Sequence, residues 1–309
     1  MEWNSEEIAK LIERALAEDV GAGDATVAAT IPVNASGQAH IVAKQELVCA
    51  GLPLAEMVFR RLDPAMKVEL RAMDGQLVRK GQDVMHLSGK AGAILTGERT
   101  ALNFLGHLSG IATLTRRFAE QLGGTRAKIR DTRKTTPGLR QLEKYAVKMG
   151  GGTNHRFGLY DAILLKENHI ALAGGVKAAL DQAHAYASSQ MNPKAMTAYE
   201  AIGSLVSGSE TSSLSIQVEV RNQEELRDAL AAGAESVLLD NMTPEEARQC
   251  VEIVRGLRDS CIVEISGGIT IDNARAYALT GADYLSSGAL THSAKSADLS
   301  LLVDNIKEK

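Results

Sequence analysis

The chain has 309 residues, of which 45 % are hydrophobic and 23 % are charged. This balance excludes wholesale disorder, and the length allows one large domain or two domains of medium size. The formal net charge of −4 gives no general attraction to nucleic acid or to an anionic membrane, so a site for an anion has to be built locally. Aromatic residues make up only 4 %, and a core of Ala, Leu, Val and Ile is therefore expected, as is typical of α/β proteins.

The N-terminal part of the chain combines helical and strand patterns. Apolar residues recur at helical spacing directly after Ser5, whose hydroxyl is suited to cap a helix. Alternating apolar and polar residues farther on are typical of strands and their turns. In chain order, the predicted elements are a helix over 5–18, strands over 38–48 and 67–70, a β-hairpin over 75–85 and a helix over 97–122.

From Thr125 onward, short apolar strands alternate with helical stretches. Two of the helices carry clear caps, Asn222 for one and Thr243 followed by Pro244 for the other. Repeated β-α units predict a parallel sheet, and six in succession favour a barrel, here one with fewer than eight legible strands. The six strands are predicted at 127–129, 162–165, 216–220, 236–239, 262–265 and 283–286.

The stretch from Ser188 to Ser215 interrupts this alternation. It is rich in Ser, Ala, Met and Gly and contains Pro193. Such a polar stretch is typical of a tolerated surface insertion, here a helix and a loop, and a lid over the site is the second interpretation.

The sequence also bears on where the protein works. No apolar run approaches the roughly 20 residues that a membrane-spanning helix needs, and the acidic start at Glu2–Glu7 lacks the features of a secretion signal. Cys49, Cys250 and Cys261 are an odd, widely spaced set that fits neither a disulfide framework nor a zinc site. We therefore expect buried free thiols, a cytoplasmic protein and no membrane partner.

Polar residues follow each of the six predicted strands. In barrel proteins the carboxyl ends of the strands meet at one rim, where the functional site lies. We therefore expect these polar groups to converge on one mouth. They are Arg130–Thr136, Lys166–His169, Glu219, Asp240–Asn241, Ser266–Gly268 and Ser286–Gly288.

Positive charge is concentrated between Arg126 and Arg156, where nine Lys and Arg residues stand against two acids. Lys144 and Lys148 are four residues apart on a predicted helix, and we expect them on a solvated face. The cations that follow strands or glycine-rich turns would repel one another in a pocket unless an anion lay between them, so the sequence predicts a polyanionic ligand. These side chains are Arg133, Lys134, His155, Arg156 and Lys166.

Two glycine–serine turns lie on the last two predicted strands, at Ser266–Gly268 and Ser287–Gly288. Backbone amides in such turns can bind a phosphate without a cationic side chain, and barrels often place a phosphate site there. Glu219 and Asp240 would be acids in a cationic site, where they could pair with the cations, bind sugar hydroxyls or hold Mg²⁺. No motif has the spacing of a zinc or iron site or of a nucleophilic triad.

These residues belong to longer motifs that resemble the quinolinate phosphoribosyltransferase family. The resemblance covers nearly the whole chain and departs from the family at the 188–215 insertion, which is longer than the family needs. The matching motifs are Glu98–Asn103, Asp131–Arg140, Lys144–Val147, Gly150–Asp161, Leu165–Ile170, Leu239–Met242 and Glu264–Ile269.

The resemblance implies a fold and an activity. The fold is an N-terminal α/β sandwich (1–115, rejoined by 290–309) and an incomplete parallel α/β barrel (116–289), the type II phosphoribosyltransferase architecture. The activity is transfer of the phosphoribosyl group from phosphoribosyl pyrophosphate to quinolinate with decarboxylation, which yields nicotinate mononucleotide, pyrophosphate and CO₂ for de novo NAD biosynthesis. The resemblance further implies Mg²⁺ together with phosphoribosyl pyrophosphate, and a homodimer or a hexamer built from dimers.

The resemblance also implies roles for individual residues. Arg99 would enter the site from a partner subunit, and Thr132 would contact the substrate. The quinolinate carboxylates would be held by Arg133, His155, Arg156 and Lys166. Phosphoribosyl pyrophosphate and its Mg²⁺ would meet Lys134, Glu219 and Asp240, the metal directly or through the substrate. The 5′-phosphate would lie at Ser266, Gly267, Gly268, Ser286, Ser287 and Gly288, and the predicted catalytic residues are Lys134, Lys166, Glu219 and Asp240.

Three other functions stay open at the level of sequence. A nicotinate-specific phosphoribosyltransferase would need fewer cations and would release no CO₂. A barrel aldolase would need a lysine that forms a Schiff base, and Lys166 is the plausible candidate. An RNA-binding module could use the basic 126–156 stretch, although only Tyr145 and Phe157 interrupt it with aromatic rings.

Overall fold

The computed structural model describes residue 3, residues 5–189 and residues 214–307. The insertion predicted over 188–215 therefore lies almost wholly outside the described residues. The chain forms two compact units. The first contains the chain up to Arg116, Lys148–Gly151 and the stretch from Ala294, and the second contains Arg117–Val147 and Gly152–Ser293. No helix among the described residues is long and apolar enough to cross a membrane.

Helices and strands are numbered in chain order over the described residues. From the N-terminal helix to the long helix α4, the elements are α1 (Glu6–Val20), α2 (Ala25–Thr30), β1 (Ser36–Ala43), β2 (Leu47–Val48), α3 (Leu52–Leu62), β3 (Lys67–Leu70), β4 (Leu77–Val78), β5 (Asp83–Lys90) and α4 (Ala91–Gln121). The remaining elements are β6 (Lys128–Arg130), α5 (Arg140–Met149), β7 (Ala162–Leu165), α6 (Glu167–Ala173), α7 (Val176–Ser189), β8 (Ser215–Val220), α8 (Gln223–Ala231), β9 (Ser236–Asp240), α9 (Pro244–Leu257), β10 (Ile262–Ser266), α10 (Ala274–Ala278), β11 (Tyr284–Ser286), α11 (Ala289–His292) and β12 (Leu299–Lys307).

The first unit is built on a four-stranded antiparallel sheet in the order β12-β1-β5-β3. Its first helix, α1, begins where the sequence predicts, because the Ser5 hydroxyl accepts a hydrogen bond from the Ile8 amide at 3.4 Å. The apolar stripe of Ile8, Ile12 and Leu16 is buried, so the predicted amphipathic helix is confirmed.

The hairpin predicted over 75–85 is wrong. β4 pairs with β2 in a separate two-stranded sheet, whereas β5 pairs with β1 and β3. The turn between them is hydrogen-bonded to the end of β1, where the Gly81 amide donates to the Ala43 carbonyl at 2.7 Å and the Ala43 amide donates to the Gln82 carbonyl at 3.0 Å. Because the turn pairs with β1, its two flanking strands enter different sheets. The single strand predicted over 38–48 is likewise two strands, β1 and β2.

The second unit is built on a six-stranded parallel sheet in the order β6-β11-β10-β9-β8-β7, which confirms all six predicted strands. Among the described residues no ladder joins β6 to β7, so the sheet is the incomplete barrel that the sequence predicts. α8 and α9 begin at the predicted caps: side-chain oxygens of Asn222 and Thr243 accept from the amides of Glu225 at 2.9 Å and Glu246 at 3.3 Å.

The three cysteines are buried free thiols, as predicted. Burial raises the pKa of Cys49 to about 12 and that of Cys261 to about 11. At neutral pH both side chains are therefore protonated and pack as small apolar groups.

Candidate active site

The carboxyl ends of four neighbouring strands lie at one level of the parallel sheet, and we call this edge the barrel rim. Ser266 at the end of β10 pairs in register with Asp240 of β9 on one side and with Ser286 of β11 on the other. Ser286 in turn pairs with Arg130 of β6. The segments that follow these strands therefore start from a common edge.

The loop after β6 presents two of the predicted cations, Arg133 and Lys134, on its exposed surface. The guanidinium of Arg140 fixes this loop by donating to the Phe157 carbonyl at 2.9 Å and to the Arg133 carbonyl at 3.3 Å. The Thr132 hydroxyl accepts from the Lys134 amide at 3.0 Å. The loop is thus held through its backbone, which leaves the side chains of Arg133 and Lys134 available to a ligand.

A second guanidinium, that of Arg156, lies near Arg133. Partial burial and the like charge of Arg133 lower the pKa of Arg156, and Arg156 Nη1 donates to the Ala162 carbonyl at 3.0 Å. Within the described stretches, neither guanidinium forms an ion pair with a carboxylate. Two such groups are suited to an anion, because each can bind a carboxylate through two parallel hydrogen bonds.

Lys144 does not lie on a solvated helix face, and that prediction is wrong. Its side chain is fully buried, with Nζ 2.5 Å from Asp131 Oδ1 and 2.9 Å from the His155 carbonyl. Asp131, equally buried, also accepts from the His155 amide at 2.8 Å. A spacing of four residues shows that Lys144 and Lys148 share a helix face, but not whether that face is covered. The buried pair links α5 to the residue that follows β6.

The two predicted acids lie close to predicted lysines. Lys166 Nζ is 2.5 Å from Glu219 Oε2, and the two side chains are 48 % and 16 % exposed. Burial and the negative charge of Glu219 raise the pKa of Asp240, while the charges of Lys166 and Lys134 oppose the shift. Lys134, Lys166, Glu219 and Asp240 therefore form one electrostatic cluster at the barrel rim.

Two members of that cluster, Glu219 and Asp240, fit a magnesium ion. Among the described residues, no group of three or more His, Cys, Asp or Glu side chains could hold a metal by itself. Mg²⁺ is commonly held by one or two carboxylates together with substrate phosphates, so two neighbouring carboxylates suffice. If these side chains held a divalent cation, its charge would offset the negative charge of Glu219, which is the second cause, next to burial, of the raised pKa of Asp240.

The glycine turn after β10 closely approaches the residue after β9. Gly267 and Gly268 have φ angles of +94° and +63°, which favour glycine. A Cβ atom at Gly267 would lie only 2.2 Å from Asn241 Oδ1. The predicted phosphate turn therefore tolerates no larger residue at its first glycine.

The turn after β11 lies against Lys134, a side chain that is predicted to bind phosphoribosyl pyrophosphate. A Cβ atom at Gly288 would lie 2.9 Å from Lys134 Cδ and 3.0 Å from a ring carbon of His292. The absence of a side chain at Gly288 thus lets Lys134 cross the turn. His292, which the sequence does not single out, lies beside it.

The serine hydroxyls of this turn donate into the protein. The Ser286 hydroxyl donates to the Glu264 carboxylate, and the Ser287 hydroxyl donates to the Ile269 carbonyl at 2.7 Å. An anion at this turn would therefore meet the backbone and Lys134 rather than these two hydroxyls.

The sequence also does not single out a polar network inside the barrel. Glu264 of β10 is fully buried, and its carboxylate accepts from Arg130 Nη1 at 2.8 Å, from Gln217 Nε2 at 3.0 Å and from the Ser286 hydroxyl. The Arg130 guanidinium also lies 3.5 Å from the centre of the Tyr284 ring. The interior of the barrel therefore contains charged and polar side chains that hydrogen-bond to one another.

His155 lies at the edge of this network. Its Nδ1 accepts from the Arg156 amide at 2.7 Å, so a ring proton belongs on Nε2, which faces Gln217 Oε1 at 3.3 Å and Glu264 Oε1 at 3.5 Å. Burial lowers the pKa of His155 and favours the neutral ring. Both ring nitrogens are engaged by the protein, and a direct contact of His155 with a substrate carboxylate stays a prediction.

Comparison with known proteins identifies the family. The model described as quinolinate phosphoribosyl transferase, N-terminal domain, matches residues 24–109, and the model described as the C-terminal domain matches residues 111–200 and 197–302. The chain belongs to the quinolinate phosphoribosyltransferase family. The resemblance carried by the sequence motifs is thereby confirmed.

Individual relatives of this phosphoribosyltransferase agree. A probable nicotinate-nucleotide pyrophosphorylase (carboxylating) of Bacillus subtilis (strain 168) is 41 % identical over 96 % of this chain and 94 % of its own. A chloroplastic nicotinate-nucleotide pyrophosphorylase (carboxylating) of Arabidopsis thaliana is 38 % identical over 95 % of this chain and 82 % of its own. The structure of the nicotinate-nucleotide pyrophosphorylase from Francisella tularensis superposes with a TM-score of 0.84 at 36 % identity, over 97 % of this chain and 96 % of that one. The predicted fold class is therefore confirmed.

Proposed function

We propose that this member of the family transfers the phosphoribosyl group of phosphoribosyl pyrophosphate to the ring nitrogen of quinolinate and releases the 2-carboxylate as CO₂. The products are nicotinate mononucleotide and pyrophosphate, in de novo NAD biosynthesis. The observation that carries the proposal is the pair of guanidinium groups of Arg133 and Arg156, neither of which forms an ion pair in the described parts of the chain, although the charge of Asp161 acts on Arg156. A pyridine dicarboxylate supplies the two negative charges that this pair needs.

The nicotinate-specific alternative is not favoured. The names of the Bacillus subtilis and Arabidopsis thaliana relatives specify a carboxylating pyrophosphorylase, and other relatives from Nicotiana are named as decarboxylating quinolinate phosphoribosyltransferases. Membership of this family also argues against a barrel aldolase and against an RNA-binding module.

On the pyridine side of the proposed site, the cations hold the dicarboxylate. Arg133 and Arg156 bind the carboxylates, and Lys166 adds a third positive charge that its ion pair with Glu219 positions. Thr132 contacts the substrate from the loop after β6, where its hydroxyl accepts from the Lys134 amide. His155 is the remaining residue that holds the quinolinate carboxylates. Fixed cations orient the ring nitrogen toward the ribose, which lowers the entropic cost of the encounter.

On the ribose side, Lys134 and the two glycine turns bind phosphates. The backbone at Ser266–Gly268 and Ser286–Gly288 receives the 5′-phosphate, and Lys134 lies across the second turn. Glu219 and Asp240 meet the ribose hydroxyls and would be the protein ligands of Mg²⁺, directly or through the substrate. Bound Mg²⁺ would offset the negative charge of the leaving pyrophosphate.

The reaction requires no nucleophile from the protein. The bond between ribose C1 and the pyrophosphate oxygen breaks with its electron pair on the oxygen, and the lone pair of the pyridine nitrogen forms the new bond to C1. Glu219 and Asp240 stabilise the positive charge that develops on the ribose. The resulting pyridinium then accepts the electron pair of the bond between C2 and its carboxylate, so that CO₂ leaves and C2 takes up a proton.

The test is an assay with quinolinate labelled in its 2-carboxylate, together with phosphoribosyl pyrophosphate and magnesium. We expect labelled CO₂ and nicotinate mononucleotide in equal amounts. A parallel reaction contains nicotinate in place of quinolinate. A mononucleotide formed only from nicotinate, or no product from either compound, would overturn the proposal.

A glycine substitution tests the phosphate turn. Gly267→Ala should weaken binding of phosphoribosyl pyrophosphate about tenfold or more, because the close contact with Asn241 and the positive φ together cost on the order of 1–3 kcal/mol. Gly256→Ala is the matched control, since Gly256 lies inside α9 and a Cβ there would meet nothing within 4 Å. The control should bind normally and gain about 0.5–1 kcal/mol of stability. Titration calorimetry and thermal melting measure both effects, and similar losses in the two variants would contradict the assignment.

We also propose that Arg99 acts in the site of a partner subunit within a homodimer or a hexamer built from dimers. Arg99 is exposed on α4 and has no side-chain partner in the part of the chain that the structure describes. Mixing Arg99→Ala subunits with Lys166→Ala subunits should restore up to about a quarter of the activity, because some mixed dimers contain one intact site. If subunit exchange is demonstrated and no activity returns, each site is self-contained.

A cytoplasmic location belongs to the same proposal. The three buried free thiols are the supporting observation, since reduced cysteines are usual in a reducing compartment.

A further inference from the structure

The buried carboxylate of Glu264 has four polar partners, whereas a side chain that only fills space in the core needs none. Arg130, Gln217 and Ser286 donate to it, and Nε2 of His155 lies 3.5 Å away. Its side chain has no exposed surface. Burying a charge is costly, and the structure meets that cost with a complete set of donors from three other strands or loops.

Each donor lies directly next to a segment of the proposed site. Arg130 precedes the loop that carries Arg133, and Ser286 begins the turn that ends at Gly288. Gln217 lies two residues before Glu219 on β8, and therefore on the same face of the strand. Glu264 itself lies two residues before Ser266. The Glu264 carboxylate thus contacts the residue that precedes the pyridine-binding loop, Arg130, and the residue that begins the second phosphate-binding turn, Ser286.

The fourth partner extends this connection to the pyridine side. The His155 ring contacts the network through Nε2, and its Nδ1 accepts from the Arg156 amide at 2.7 Å. A displaced Glu264 would therefore also displace the backbone that carries Arg156.

We propose that Glu264 is a positioning residue, which sets the distance between the pyridine-binding cations and the phosphoribosyl-binding turns without touching either substrate. This inference rests on the proposed function. Because the partners of Glu264 lie on β6, β8, β11 and the His155 segment, loss of the charge frees each of these segments by a small amount. A shift of about 1 Å between two bound reactants costs on the order of 100-fold in rate, whereas each reactant still finds its own half of the site.

The experiment is a Glu264→Gln variant, which keeps the size of the side chain and removes its charge. We expect kcat per intact site to fall about 100-fold, while the Kd of quinolinate alone and of phosphoribosyl pyrophosphate alone each change by less than about threefold. The stoichiometry of nicotinate mononucleotide binding counts the intact sites, so partial unfolding does not imitate the effect.

Asp283→Asn is the matched control. Asp283 is also a mostly buried, arginine-paired acid of this sheet, with Oδ2 2.7 Å from Arg255 Nη2 and 2.8 Å from the Val263 amide. It precedes β11 and so lies at the amino end of the strands, away from the barrel rim. This variant should lose stability but keep kcat per intact site within about twofold.

Three results separate the outcomes. A Glu264→Gln variant with normal kcat per intact site, or with weakened binding of one substrate and unchanged kcat, overturns the inference. If Glu264→Gln does not fold, Gln217→Met removes one donor and should still lower kcat about tenfold at unchanged substrate Kd, and a normal kcat there overturns it. A wild-type protein without activity would instead overturn the proposed function.

Discussion

Replacing Lys144 by Met is expected to lower the free energy of unfolding by about 3–5 kcal/mol, because it leaves the fully buried Asp131 without its cation. Met has a similar length and is tolerated in cores, so the loss reports on the ion pair rather than on a cavity. The His155 carbonyl would also lose its donor, Lys144 Nζ, at 2.9 Å. Urea denaturation at neutral pH measures the loss.

The control is Lys177→Met. Lys177 and Asp181 are also 2.9 Å apart, but their side chains are 74 % and 61 % exposed. An exposed pair contributes at most about 0.5 kcal/mol, so this variant should resemble the wild type. Equal losses from the two substitutions would show that Lys144 is no more important than a surface lysine.

The loss in the Lys144→Met variant should also depend on pH. Burial, only partly offset by Lys144, raises the pKa of Asp131 to about 6. A carboxyl group whose folded pKa lies above its unfolded value destabilises the fold increasingly as pH rises from the unfolded value to the folded one. Without Lys144 the pKa of Asp131 in the folded protein rises further. The variant therefore continues to lose stability with rising pH above about 6, where the stability of the wild type no longer changes with the ionisation of Asp131. The difference in the free energy of unfolding between the variant and the wild type should therefore become smaller when the pH is lowered from about 8 to about 5.

Removing the Arg133 guanidinium should raise the Kd of quinolinate about 30- to 150-fold, which corresponds to about 2–3 kcal/mol. The Arg133→Ala variant loses a charged, bidentate donor and leaves the substrate carboxylates to Arg156, Lys166 and His155. The Kd of phosphoribosyl pyrophosphate should change by less than about threefold, because the neighbouring Lys134 side chain is kept and the other predicted ligands, Glu219 and Asp240, belong to other strands. Titration calorimetry with each substrate separately makes the comparison.

Arg126→Ala is the matched control for that substitution. The Arg126 side chain is 54 % exposed and pairs with Asp283 at the amino end of the strands, at 2.6 Å. Its loss removes the same charge from the chain but not from the barrel rim, so quinolinate should bind normally. If Arg133→Ala weakened both substrates equally, its role would lie in the structure of the loop and not in the recognition of quinolinate.

The sequence predicts the barrel well because its signals are local. Each parallel strand is a short apolar run between capped helices, and the caps at Asn222 and Thr243 form as expected. The rim residues follow from the same logic, since whatever comes after a parallel strand lies at a common edge. The position of Glu219 and Asp240 at the rim is predicted in this way.

Long-range pairing explains what the sequence does not predict. The alternation over 75–85 predicts two strands but cannot tell that β4 pairs with β2 and β5 with β1. Lys144 and Glu264 are charged residues whose burial depends on partners outside their own helix or strand, Asp131 at a separation of 13 residues and Arg130 at a separation of 134. A single acid within an apolar strand is nevertheless a usable signal, because alternation places Glu264 on the same face as Ser266.

The pairing of β12 with β1 has a consequence for synthesis on the ribosome. The two strands are neighbours in the antiparallel sheet, yet residues 44–298 are made between them. Until β12 emerges, one edge of β1 has its backbone amides and carbonyls unpaired, a surface on which strands of other nascent chains can add. The enzyme therefore passes through an interval in which aggregation competes with completion of the sheet, and truncation before Leu299 would make that interval permanent.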